Sequence, residues 1–149
     1  MAKWLFNEIG LSGSAGILVL RVVTGAAFII HGWPKIQHPF TWMPGETAMP
    51  GFLQGCAALA EFGGGIALIL GVFTRLAALG LAITMAVAVF HVHMPQGHPF
   101  VSAKGGPSYE LAAAYMAVSV ALMLLGPGRI ALDFTLLDLF RKRKAKSAI

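Results

Sequence analysis

The sequence predicts an all-α fold: an integral membrane four-helix bundle with short interfacial helices toward its N- and C-terminal ends. Three observations carry this. Of the 149 residues, 57% are hydrophobic and 11% charged, whereas ordinary soluble domains are about a quarter charged. Four apolar stretches, at about 15–33, 52–73, 76–94 and 109–126, each approach the ~20 residues that cross a bilayer. The two long connections, after the first and third stretches, are rich in proline and glycine and lack a helical period, which suits loops outside the hydrocarbon. The length fits a single domain spanning 1–149.

Residues 2–11 mix Trp4, Leu5, Phe6 and Ile9 with Lys3, Asn7 and Glu8, a pattern for a helix lying in the interface rather than crossing it. The first span carries Arg21 and His31 and is expected to end at Pro34, with Trp33 and Trp42 as interface anchors. It is as long as a full span, and no A-x-A cleavage site follows it, so it reads as retained. The second span, from Gly51 to Arg75, holds Glu61 near its middle. A charge at that depth costs roughly 2.5 to 3.5 kcal/mol on insertion scales, which calls for a partner, a wet cavity or protonation.

Within the second span, Ala60, Gly64, Ala67 and Gly71 form a small-residue seam that admits a neighbouring helix. The run Gly63 to Gly65 is packing rather than a phosphate loop, since no strand precedes it and no GK[ST] follows. Arg75 is expected to turn the chain into the third span, which carries Ala78, Ala82 and Ala86 and ends at His91 and His93. Those histidines lie about 200° apart on a helix, so only one of them can face the core. The alanine stripe favours His93. A faint repeat, His31 with His38-Pro39-Phe40 and His91 with His98-Pro99-Phe100, favours His91. The fourth span opens at Tyr109-Glu110 and stops at Pro127-Gly128. Residues 130–140 then read as an amphipathic surface helix, followed by a basic tail, 141–149.

The net charge of +5 resides largely in that tail, in Arg141, Lys142, Arg143, Lys144 and Lys146. Juxtamembrane basic clusters mark topology and meet anionic lipids. No basic stripe with interleaved aromatics exists to suggest nucleic acid. With four spans, Lys3, Arg75, Arg129 and the tail share one side, against Lys35 and Lys104 on the other. Both termini are therefore expected to be cytoplasmic, in a multi-pass protein of a bacterial inner membrane, with the five histidines, Glu46, Tyr109 and Glu110 at the outer end. Cys56 is the only cysteine, which excludes an internal disulfide or CxxC couple.

Helical rise puts Glu61 about 13 to 15 Å in from the outer end and Arg21 about 9 Å in from the inner end, within mutual reach. The candidate constellation is Glu61 and His31 as proton-exchanging groups, with Arg21, His91, His93, Tyr109 and Glu110 around a ligand. Such a polar pocket, opening to the outer leaflet, suits a quinone head group. The other reading is a structural Arg21–Glu61 ion pair with the histidines bonded to loop carbonyls. No HExxH or CxxC spacing supports a metal site.

The ordered series Arg21, Gly25, Phe28, His31-Gly32, Lys35, Glu61, Gly63-Gly64, Leu70-Gly71, Thr74-Arg75, Tyr109-Glu110, Gly126-Pro127-Gly128-Arg129 and Asp133 resembles the DoxX family of small bacterial membrane proteins. The resemblance covers about Ile17 to Asp133. It implies a four-helix membrane bundle and kinship with subunits of quinone-linked oxidoreductases. Vitamin K epoxide reductases are similar in outline, but a single cysteine does not support their chemistry.

The expected function is a membrane component of a quinone-linked oxidoreductase system. No flavin, haem or iron–sulfur motif is present, so electrons would come from a redox partner protein or from the ligand. A non-catalytic membrane scaffold or small-molecule carrier is the alternative. The small-residue seams also permit a homo-oligomer.

Overall fold

In a computed structural model of the chain, residues 9–45 and 48–133 are described. Most of the expected N-terminal interfacial helix, Glu46, and all but the first residues of the C-terminal amphipathic helix with its basic tail lie outside them. Among the described residues four α-helices follow in order: α1 Leu11–Gln37, α2 Gly51–Leu70, α3 Thr74–Val87 and α4 Glu110–Leu125. Among the described residues there is no strand. Helix α3 continues directly into a π-helical turn, Ala88–His93. Counting that turn with α3, three helices among the described residues are long and apolar enough to cross a membrane, and α4 is a shorter apolar helix.

Two of the expected boundaries move. Pro34 lies inside α1, which runs on to Gln37. A proline lacks the N–H that would bond back one turn and strains the turn before it, but here it falls in the last turn of the helix and does not stop it. At the other end α2 stops at Leu70 because Gly71 takes a left-handed conformation, φ 70°, the usual helix-ending geometry for glycine. Phe73, at φ 48°, completes the turn, so the bend is made by residues 71–73 and not by Arg75.

The helices pack in sequence, α1 on α2, α2 on α3 and α3 on α4, with a sparser α1–α4 contact. Helix association in lipid gains little from apolar burial and depends on close approach of small residues. Gly25 of α1 and Gly65 of α2 provide that approach. A Cβ placed on Gly65 would stand 2.7 Å from the Gly25 carbonyl oxygen, and one on Gly25 would stand 2.6 Å from that of Gly65. A Cβ on Gly32 would likewise stand 2.5 Å from the backbone nitrogen of Phe62. The predicted seam serves the other neighbour: Gly64 faces Leu81 and Ala60 faces Gly80, both on α3.

Phe28, Leu68, Leu81, Val89 and Leu122 form the centre of the core. Val23, Ile30, Leu59, Leu76 and Leu124 are exposed, as befits side chains whose surroundings are lipid. The two His-Pro-Phe segments hold equivalent places. Phe40 lies against Gly51 and Gly55 at the start of α2, and Phe100 packs at a tilt against Tyr109 at the start of α4, centroids 5.4 Å apart.

Gly65→Ala is expected to destabilise the protein by roughly 1–3 kcal/mol through overpacking against backbone, read as a lowered unfolding midpoint in detergent. Gly16→Ala, which meets nothing within 4 Å, should leave the midpoint unchanged or raise it. Equal midpoints for both variants would refute the glycine contact as the α1–α2 fastener.

Candidate functional site

The buried residues of α1 recur at heptad-like spacing, Arg21, Gly25, Phe28 and Gly32, and the next position in that series is Lys35. On α2 the matching stripe is Gln54, Ala58, Glu61, Gly65 and Leu68. Antiparallel packing of these two faces sets Lys35 opposite Glu61 and Arg21 opposite the end of α2. The two charged positions on α1 therefore meet different partners.

Arg21 does not pair with Glu61. Its Nε donates to the Leu68 carbonyl at 2.8 Å and one terminal nitrogen to the Ile69 carbonyl at 3.1 Å. The other terminal nitrogen donates to the Pro127 and Ile130 carbonyls, each at 2.8 Å. A helix leaves its last carbonyls without internal partners, and a cation there also matches the helix dipole. Arg75 serves α4 in the same way, donating to the Met123 and Leu124 carbonyls at 2.7 and 2.9 Å. Asp133 serves the opposite polarity, accepting from the Phe73 and Thr74 N–H groups that open α3 at 2.9 and 3.0 Å. This end of the bundle is a set of helix caps.

Glu61 is buried, 1% exposed. Lys35 Nζ donates to its Oε1 at 2.5 Å and sits 4.4 Å from the centre of the Trp42 ring, a cation–π distance. Glu61 Oε2 is buried and has no hydrogen-bond partner among the described residues. Extension of α1 past Pro34 is what brings Lys35 into reach.

A cavity of about 440 Å³ lies between α2 and α3 toward the end opposite the caps, beside Lys35 and Glu61. Leu53, Cys56, Ala57 and Ala60 form one wall and Gly80, Ile83, Thr84 and Val87 the other, while Met43 and Met49 come from the loop. Lys35, Trp42 and Glu61 also line it, with Ala88 and Val92 of the π turn. Its volume falls in the range of small-molecule sites, which are mostly apolar with a few placed polar groups. π turns are uncommon and often mark functional sites. Gln54, 4% exposed, fixes the loop: its side chain accepts from the Met43 N–H at 2.9 Å and donates to the Met49 carbonyl at 2.7 Å. Trp42 Nε1 donates to the Gln54 carbonyl at 3.0 Å.

Of the sequence-predicted candidates, Glu61 alone lines this cavity. His31 is exposed on α1 and stands edge-on to Tyr115 of α4, centroids 6.4 Å apart. His91 is exposed, and His93 is half-buried with its Nδ1 2.9 Å from Nδ1 of His98. Neither histidine enters the core; Val89 fills it instead. Glu110 is exposed in the first turn of α4, and Tyr109 packs on Phe100. Lys35, Trp42 and Gln54 were the residues missed as site components. The stripe from Arg21 to Lys35 was the available signal, and reading Pro34 as a stop concealed it.

Residues 16–94, from early α1 to just past the π turn, match the family model described as DoxX. The chain belongs to the DoxX family. Its relatives include an uncharacterised Haemophilus influenzae protein, 38% identical over 76% of this chain and 85% of the relative. A Bacillus subtilis relative named "Putative oxidoreductase CatD" is 30% identical over 79% of this chain and 84% of its own. The Escherichia coli inner membrane protein YqjF is 38% identical over 55% of this chain and 66% of its own. No solved structure matches the chain significantly. The DoxX match takes in Arg21, Lys35, Glu61 and the cavity walls, but ends before α4.

Lys35→Met is expected to cost roughly 2 kcal/mol or more, short of the ~3–5 kcal/mol for a fully buried pair because Lys35 is partly exposed. Adding Glu61→Gln to it should recover most of the loss, as judged by a double-mutant cycle of unfolding midpoints in detergent. Additive losses would show that the two side chains do not interact.

Proposed function

We propose that this DoxX protein is a membrane component of a quinone-linked oxidoreductase system, and that it holds a quinone or another small redox-active ligand in the cavity between α2 and α3. The observation that carries this reading is an apolar cavity of about 440 Å³ whose charged lining, among the described residues, is the Lys35–Glu61 pair. An aromatic ring and flexible thioethers, Trp42, Met43, Met49 and Met85, suit a flat ring system. Lys35 supplies a donor for a carbonyl or hydroxyl oxygen of the ligand, and Glu61 an acceptor for a hydroxyl. The ligand would bring the redox chemistry, and a partner protein would deliver or remove electrons. The oxidoreductase name borne by the Bacillus subtilis relative supports the same class.

Ligand contact is assigned here to Glu61, Lys35 and Trp42. Arg21 is committed to helix carbonyls, while His31, His91, His93, Tyr109 and Glu110 lie off the lining. A second reading has its own observation. The Lys35–Glu61 pair joins α1 to α2 and would serve equally as the structural lock of a non-catalytic scaffold or carrier.

The inner membrane relative and the distribution of basic residues support a bacterial inner membrane location with cytoplasmic termini. On that orientation the cavity lies toward the outer leaflet and the basic tail meets anionic lipids on the cytoplasmic face. A C-terminal green fluorescent protein fusion should fluoresce in cells, whereas a fusion active only with periplasmic alkaline phosphatase would reverse the assignment.

Organic extraction of gently purified protein should yield a quinone close to stoichiometry. Ala57→Phe, which fills the cavity wall, should abolish its recovery while the protein still folds. No ligand from the wild type, with Glu61→Gln and His31→Ala changing stability alone, would establish the scaffold reading instead.

A further inference from the structure

The cavity between α2 and α3 is bounded unequally. Its floor is buried: Glu61 is 1% and Met85 9% exposed. Toward the capped end the two helices close on each other. A Cβ on Gly80 would stand 3.5 Å from that of Ala60, and one on Gly64 3.5 Å from the Leu81 side chain, so a methyl group would fill the space left between them. At the loop end Met43 and Met49 reach over the cavity, held there by the Gln54 side chain.

The side between the helices is open. Leu53, Cys56 and Ile83 all line the cavity, yet Leu53 is 42% and Ile83 57% exposed, and Cys56 is exposed as well. They form a rim along both helices. Leu53 and Cys56 belong to α2 and Ile83 to α3, and α2 and α3 with its π turn are each long and apolar enough to cross a membrane. Ile83 precedes His93, the end of the π turn, by ten residues, which is on the order of 15 Å of helix. In a hydrocarbon core ~30 Å thick, a rim at that depth meets acyl chains rather than water. A buried floor behind such a rim makes a doorway into lipid, and whatever part of an occupant does not fit inside stays among the acyl chains.

We infer that the cavity takes its ligand sideways from the bilayer, and that this ligand is a ring carrying one long apolar chain, the ring inside beside Trp42 and the chain leaving between Leu53 and Ile83. This rests on the reading of the cavity as a quinone-type site. The rim side chains offer the chain close packing, which is the attraction that counts where the competing solvent is itself apolar.

Saturable quenching of tryptophan fluorescence, in phosphatidylcholine vesicles containing the protein, tests the inference. The probes are menadione and phylloquinone, which has the same ring with a phytyl chain. Leu53→Phe combined with Ile83→Phe narrows the rim and leaves the floor untouched. It is expected to weaken phylloquinone binding at least about ten-fold and menadione binding less than about three-fold. Each probe is compared with itself at one lipid concentration, so its partition into the bilayer cancels. Cys56→Phe, on the same rim, should act in the same direction and serves where the double variant fails to fold. Leu59→Phe, exposed on α2 but off the cavity lining, should change neither probe. Rim variants that weaken neither probe, or both equally, would overturn the inference and leave the cavity a quinone site. Absence of saturable quenching by both probes in wild-type protein would overturn that underlying reading.

Discussion

The structure depends on how helix ends are satisfied where water is scarce. In a bilayer every backbone N–H and C=O needs a partner within the protein, and the last carbonyls of each helix have none of their own. Arg21 resolves this for α2 and at the same time binds the chain after α4, through Leu68, Ile69, Pro127 and Ile130. Gly71 makes room for it, since a Cβ there would collide with the guanidinium. With Arg75 and Asp133 capping α4 and α3, one end of the bundle is fixed by charges that are fully engaged, and the opposite end is left free to carry a cavity.

The α1–α2 glycine contact transmits that arrangement along the molecule. Gly25 against Gly65 and Gly32 against Phe62 fix the axial register of the two helices. Register then decides which side chains meet, and it sets Lys35 against Glu61. Trp42 and Gln54 hold the loop over the pair. The pair is thus a consequence of packing farther down the helices as much as of its own attraction.

The fold class was legible because hydropathy and span length are one-dimensional properties. Glu61 was legible for the same reason, as a charge in an apolar run. Its partner was not, because axial height admits any long cation on a neighbouring helix and only the glycine register selects Lys35. Pro34 misled for a local reason: proline weakens a helix where it removes an internal bond, but near the last turn little helix remains to break. The histidines misled for another, since His93 turns to His98 in its own loop and the π turn resets the angular phase on which a 3.6-residue count relies. Gln54 carried a signal seven residues before Glu61 that becomes meaningful only once the loop folds back on it.

The stripe on α1 has one more consequence. Arg21 and Lys35 are held by a single helix, their α-carbons about 21 Å apart at ~1.5 Å per residue. The hydrocarbon core of a bilayer is ~30 Å thick and varies by a few ångströms between membranes. A rod of fixed length, with caps at one end and the ion pair toward the other, would set that pair nearer the head groups in a thin bilayer and deeper under the acyl chains in a thick one, where charges attract more strongly.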